Sequence, residues 1–260
     1  MARYITCISG KGGVGKSTTA MNLAAALNLH GKDTTLIDAN FTTPNIGIYL
    51  GVPILPKTIH EVLSNKSSIE NATYIHKSGT KVVPGNISLA SLDNVKPQMF
   101  KNRIKSLDKK NDFVIIDAAA GLGREALASL EAGNEIIVVT SDELPGVADA
   151  LKTVRVAQEL KKEVLGVVVN RQKDKGMSTQ DIEEMLELPV IATIPEDEKM
   201  REALDMRDAI VNTHPTSKAA YAYKKLASYV TGDPFYEEPA EQPKEGKSII
   251  MKLLDAFGLT

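Results

Sequence analysis

Cysteine is nearly absent from the 260 residues: Cys7 stands alone, tryptophan is missing and aromatic residues make up 5% of the chain. One thiol cannot close an internal disulfide, form a Cys-x-x-Cys redox pair or ligate an iron–sulfur cluster. Cys7 sits in an apolar run, where a buried packing thiol is the expectation. The four histidines, His30, His60, His76 and His214, are scattered without zinc-site spacing, so no protein-built metal site is expected. No stretch approaches the roughly 18 to 20 unbroken apolar residues of a membrane span. The first apolar run is cut at Ser9-Gly10-Lys11, too early for a secretory leader, and the reading is a cytoplasmic chain. Charge of one sign is lacking too, with a formal net of -2. What is present, 43% apolar and 25% charged residues with no short-period repeat, fits a soluble globular domain with a full core and excludes disorder and fibres.

Short β-rich apolar runs recur at 4–9, 34–37, 81–83, 113–116, 135–139, 165–169 and 189–194, with mostly helical patterns between them. That alternation predicts an α/β fold, a mainly parallel sheet with helices on both faces. Val114-Ile115-Ile116, Ile136-Ile137-Val138-Val139 and Val167-Val168-Val169 are apolar at consecutive positions, as central strands buried on both faces are. The segment 73–83 carries Ser78-Gly79 and reads as a hairpin at the sheet edge. At Gly232 the composition changes. Residues 232–247 contain Pro234, Pro239 and Pro243, five acidic residues and two lysines, the signature of a solvated linker. The domain limits are therefore 1–231, a linker over 232–247, and an apolar tail over 248–260.

The motif Gly10-Lys11-Gly12-Gly13-Val14-Gly15-Lys16-Ser17 fits G-x-x-x-x-G-K-[ST], follows the first strand and precedes a helical run over 18–29. This is the context a phosphate-binding loop requires. Its glycines let backbone N–H groups wrap phosphate oxygens and the helix N-terminus adds positive potential. Lys16 is placed for the β- and γ-phosphates, and Ser17 for Mg2+.

Lys11 adds a second charge that an ordinary phosphate loop does not require. With it, the run through Thr18 resembles the deviant Walker A motif of the ParA/MinD ATPase superfamily, and the resemblance extends over nearly the whole of 1–231. It implies ATP and Mg2+ as cofactors and a homodimer in the ATP state, in which Lys11 crosses the interface to the phosphates of the partner's nucleotide. Leu36-Ile37-Asp38-Ala39-Asn40 resembles the family's switch I and Asp117-Ala118-Ala119-Ala120-Gly121 its switch II. Asp38 and Asp117 are then the carboxylates that hold Mg2+ through water, with Gly121 beside the nucleotide. Glu143 and Asp149 fall where such proteins meet the partner's ribose and lysine, although carboxylates also favour helix starts for ordinary reasons. Asn170 and Pro195, at the ends of the last two predicted strands, resemble the adenine pocket. Asn-Lys-x-Asp, the guanine signature, is missing, since Asn170-Arg171-Gln172-Lys173-Asp174 has the wrong spacing.

One position departs from the family pattern. Asn40 stands where a second switch I aspartate is usual, and an amide can orient water but cannot accept a proton or add negative charge. The expectation is slow hydrolysis and a long-lived ATP state. In the tail, Ile249, Ile250, Leu253, Leu254 and Phe257 cover an arc of about 140° at helical spacing, in the place of the membrane-targeting helix of MinD-like proteins. The resemblance therefore implies an ATPase whose dimer attaches peripherally to the inner membrane face through 248–260, positions cell-division or other polar machinery through an unidentified activator or cargo protein, and is released by hydrolysis. Docking of the tail onto the body or onto a partner protein is the rival reading.

Two alternatives stay open at this point. The basic cluster Lys101, Arg103, Lys105, Lys109 and Lys110 suits a DNA-partitioning relative, although a body of 27 acidic and 28 basic residues argues against a strong grip on nucleic acid. The other alternative is a scaffold that binds ATP and hardly hydrolyses it.

Overall fold

The computed structural model describes residues 1–52, 55–92, 95–173 and 176–234. The tail 248–260, nearly all of the 232–247 segment and Asp174 lie outside the described residues. The strands are β1 (Arg3–Ile8), β2 (Thr34–Ala39), β3 (Tyr74–Ile75), β4 (Lys81–Val83), β5 (Phe113–Ala118), β6 (Glu135–Thr140), β7 (Glu163–Gln172) and β8 (Val190–Pro195). The helices are α1 (Lys16–Leu29), α2 (Ile46–Tyr49), α3 (Ile59–Leu63), α4 (Phe100–Ile104), α5 (Arg124–Ala132), α6 (Leu144–Glu159), α7 (Thr179–Leu186), α8 (Lys199–Asp205), α9 (Ile210–Thr213) and α10 (Lys218–Thr231).

The eight strands form one sheet in the order β3-β4-β2-β5-β1-β6-β7-β8. Every pairing is parallel except β3 with β4, so the expected edge hairpin is present, turning at Ser78-Gly79. The consecutive-apolar runs belong to β5, β6 and β7, and their residues are buried. Because successive side chains alternate between faces, β1 sends Ile5 and Cys7 into one core with Leu36, Ile115, α1 and α10. Tyr4, Ile37, Val114 and Ile116 face the other way, into a core with Phe41, Ile59 and Phe100. A third cluster joins Ile8, Ile136, Val138 and Val167 to α6 and α7.

Helix α1 is the most enclosed helix segment of the fold. From Thr19 to Leu27 every residue is buried, which suits its alanine-rich sequence: small side chains let it lie between the sheet and α10. Its one buried amide, Asn22, is satisfied on both sides, donating to Thr18 O at 2.9 Å and accepting from the Ile210 N–H at 2.8 Å. The basic cluster is less regular than a helix face. Only 100–104 is α-helical, and 105–109 continues as a 3-10 turn.

The chain order reverses beside β1, whose neighbours β5 and β6 lie on opposite sides. In parallel α/β sheets this reversal leaves a crevice at the C-terminal strand ends, and the phosphate loop sits there. β5 is the strand on which the layout depends, since it holds β1 and β2 in register. Ile115→Ala, at a site with no exposure, is expected to lower the unfolding free energy by about 2–5 kcal/mol, measured by urea denaturation with an unchanged m-value.

Candidate functional site

The loop 10–15 leaves β1 and enters α1 through Gly15, which has φ +89° and caps the helix from the left-handed region. Glycine is required there twice over, because a Cβ would also overlap the Asn170 amide. The helix thus starts at Lys16, two residues earlier than the sequence pattern suggested, and the motif's lysine, serine and Thr18 occupy its first turn. Gly10 is constrained differently. A Cβ on it would strike the Asp149 carbonyl of α6, so α6 packs directly on the loop's first residue. Gly12 and Gly13 meet open space, and their backbone is accessible, as a phosphate cradle needs.

Two carboxylates reach this loop because of strand register. Asp38 and Asp117 are direct partners across the β2–β5 pairing, and Asp117 is also opposite Cys7 of β1. By alternation both carboxylates share the face of Leu36 and Ile115, toward α1. Both are fully buried. Asp117 Oδ1 accepts from Lys16 Nζ at 2.6 Å, a pair with side-chain exposures of 1% and 7%. Asp38 has no lysine of its own. Its Oδ2 accepts the backbone N–H groups of Asn45 and Ile46 at 2.9 and 3.0 Å, and Oδ1 that of Asn40 at 3.2 Å. Burial, followed by the charge of Asp117, raises the Asp38 carboxyl well above the usual carboxylate range. Cys7 below them is inert, its thiol pushed up to about 12 by burial and then by Asp117.

The cluster holds two buried acids and one buried ammonium, and Asp117 Oδ2 has no hydrogen-bond partner among the described residues. An orphaned carboxylate oxygen beside an excess of negative charge suits a hydrated divalent cation. Ser17, half-buried in the first turn of α1, is the hydroxyl available to such an ion, and its oxygen makes no hydrogen bond among the described residues. The residues present therefore fit Mg2+ with a nucleotide phosphate: loop N–H groups and Lys16 for the phosphate, Ser17, Asp38 and Asp117 for the metal.

The remaining expected site residues separate into two groups. Gly121 (φ +78°) joins the site, its N–H donating to Ser9 O at 2.9 Å. Val14 is buried and its carbonyl accepts from Asn170 Nδ2 at 2.8 Å, so Asn170 buttresses the loop backbone in this structure. Asp149 lies under Gly10 and pairs with Lys152 at 3.2 Å. Lys11 is exposed, and its ammonium has no hydrogen-bond or ion-pair partner among the described residues. Glu143 precedes α6 and stands 3.7 Å from Lys173, and Pro195 pairs with Gln172 at the end of β8. Neither makes a hydrogen bond or ion pair to the loop among the described residues. The Asn40 side chain is turned into its own loop, donating to Thr43 O at 2.6 Å and accepting from the Thr43 hydroxyl at 3.1 Å.

Two supports had no signal in the sequence reading. Glu125, in the first turn of α5, accepts both the Thr42 hydroxyl and, at 3.2 Å, the Thr42 N–H. It thereby ties the loop after Asp38 to the helix after Gly121. A glutamate in the first turn of a helix is common for ordinary electrostatic reasons and announces no such tie. His60 is buried, with Nε2 2.7 Å from Phe41 O and Nδ1 accepting the Asn86 N–H at 3.0 Å. Those contacts assign the neutral ring with its proton on Nε2.

The model of the ParA family described as a NUBPL iron-transfer P-loop NTPase matches residues 1–231. An uncharacterised ATP-binding protein of Methanocaldococcus jannaschii is 33% identical over 256 residues, 98% of this chain and 96% of its own length. The cell division ATPase MinD of Pyrococcus furiosus superposes with a TM-score of 0.86 at 34% identity, covering 89% of this chain and 99% of that one. The septum site-determining protein MinD of Pyrococcus horikoshii, complexed with Mg-ADP, gives 0.85 at 33%, covering 88% and 96%.

Burial, opposed by the Phe41 carbonyl, lowers the His60 pKa below its ordinary value. The unfolded chain then binds the extra proton first as pH falls, so the stabilisation by neutral His60 is complete above about pH 6.5 and is lost progressively down to the folded pKa. The stability gap between wild type and His60→Asn should shrink as the pH is lowered from about 7.5 to about 5.5, and the imidazole should titrate below 6.5 by NMR.

Proposed function

We propose a function from the premise that the chain belongs to the ParA/MinD family of P-loop NTPases: it is an ATP-dependent dimerisation switch that governs attachment to a membrane surface through 248–260 and is reset by hydrolysis. Members of the family are ATPases, and the cofactors are ATP and Mg2+. The role follows the MinD-type relatives, which are named for cell division and septum-site determination. The cargo in this reading is cell-division or other polar machinery, recruited through an activator or partner protein.

The observation that carries the reading is the contrast between the two lysines of the loop. Lys16 is buried and committed to Asp117, whereas Lys11, five residues earlier, is exposed at the open glycines and unpaired among the described residues. A charge that the described residues leave unused is available to a second copy's nucleotide. When bound, Mg-ATP supplies a phosphoryl group whose developing charge is neutralised by metal and lysine. The chain's contribution is positional. Backbone N–H groups of 12–15 and Lys16 fix the phosphates, Asp38 and Asp117 hold the metal's water shell, and Glu143 and Asp149 at α6 and Asn170 and Pro195 at the strand ends are assigned to the partner's ribose and to adenine. Burial of the tail's apolar face at a bilayer supplies weak attachment per copy, and pairing two copies strengthens it through effective concentration.

Light scattering at saturating ATP and Mg2+ tests the core of this reading. Wild type is expected at twice the single-chain mass, Lys11→Ala at the single-chain mass with nucleotide still bound, and Lys16→Ala at the single-chain mass without it. Single copies for wild type would refute the switch. Pelleting with anionic liposomes in ATP and not ADP, abolished by deletion of 248–260, tests the membrane half. Asn40→Asp is expected to raise steady-state ATPase about tenfold, equivalent to ~1.4 kcal/mol of barrier, because a carboxylate replaces an amide now spent on Thr43. An unchanged rate would refute slow hydrolysis through Asn40.

A further inference from the structure

The end of the sheet away from the phosphate loop carries charge that the nucleotide site does not use. A cavity of about 180 Å3 opens there, at the start of β1, lined by residues that include Tyr4, Lys101, Ile104, Lys105, Asp108 and Asn134. Lys101 and Lys105 are exposed, and neither has a hydrogen-bond or ion-pair partner among the described residues. The carboxylate in the lining, Asp108, accepts the Ala2 N–H at 3.1 Å. Lys162 stands beside the cavity, its Nζ donating to the carbonyls of Glu131 and Gly133 at 2.9 and 2.7 Å. Burial, then the charge of Lys101, lowers its pKa, so the cations are close enough to oppose one another.

The described chain stops at the same end. Arg3, between the lining residues Ala2 and Tyr4, donates to the Val230 carbonyl in the last turn of α10, and Lys32 bridges Asp233 at 2.9 Å. Asp233 is the first acid of the 232–247 segment. Glu237, Glu238 and Glu241 follow, with no basic residue before Lys244. We propose that residues 235–247 dock through these carboxylates onto the basic patch formed by Lys101 and Lys105 of the cavity lining and Lys162 beside it, extending the contact that Lys32 and Asp233 begin.

Length permits it. At about 3.3 Å per extended residue, 13 residues reach ~40 Å, enough to round the end of the sheet from the α10 face to the face on which Tyr4 and Ile104 line the cavity. Opposite charge selects the occupant, and the bonds are of the exposed kind that salt weakens. Docking holds 248–260 against the far end of the molecule from the phosphate loop. That last consequence rests on the membrane reading above, whereas the docking itself does not.

A nitroxide on Gln242→Cys tests it in the full chain, without lipid or nucleotide, because buried Cys7 does not compete for the label. Amides of 101–105, 134 and 162 are expected to lose most of their intensity at low ionic strength and to recover it near 0.5 M salt, where the Debye length falls to about 4 Å. Lys101→Glu with Lys105→Glu should remove the broadening while leaving spectra elsewhere unchanged, and adding Glu237→Lys, Glu238→Lys and Glu241→Lys should restore it. Absence of broadening at low salt, broadening of a different surface, persistence at high salt or in the charge-reversed body, or broadening seen only between labelled and unlabelled copies would each overturn the proposal. A positive result with no liposome pelleting would leave the docking standing and remove the membrane reading alone.

Discussion

The buried Lys16–Asp117 pair is the contact on which the site depends. It joins the first turn of α1 to the end of β5 with almost no water around either charge, and a buried pair of this kind leaves a costly uncompensated charge when one member is removed. Asp38 beside it makes the balance unequal. Two acids against one ammonium is a poor arrangement for folding and a good one for binding a divalent cation, so the chain carries its electrostatic cost beside the phosphate-loop motif. The rest of the loop is arranged around that cost. Gly15 lets α1 start at the lysine, Asn170 holds the loop from below, and the amides of 45 and 46 take up Asp38.

Much of this was legible in the sequence. Consecutive apolar residues identified β5, β6 and β7 as central strands, and the edge hairpin followed from Ser78-Gly79. The loop motif located itself, since its strand and helix were visible on either side. What pattern reading missed has physical causes. The runs read as ending at Ile37 and Ile116 continue through Ala39 and Ala118 because the ladder pairs backbone, which is indifferent to a charged side chain. β7 begins earlier than its apolar run and carries a register shift opposite Ile136 and Ile137, which no alternation announces. The basic cluster is split between α4 and a 3-10 turn, which its charge pattern does not announce. Glu125 and His60 were silent because their importance lies in partners distant in sequence, Thr42 at 83 residues and Phe41 at 19.

The family relationship sharpens one point that its description leaves open. The matching model is described by iron transfer, yet the only thiol of this sequence is buried in the β1 ladder and held protonated by its surroundings. What the sequence retains is the phosphate-loop motif with two acids beside it, and relatives matched over most of this chain include an uncharacterised ATP-binding protein and a cell division ATPase.

The Glu125 carboxylate, grasping Thr42 by both hydroxyl and amide, has a kinetic corollary. The loop after β2 and the turn before α5 are not independent doors. One cannot swing without breaking or dragging the other, and His60 links Phe41 of the first loop onward to Asn86 after β4. Opening of the pocket should therefore be governed by a single shared barrier, and nucleotide escape should relax in one phase where two uncoupled loops would give two.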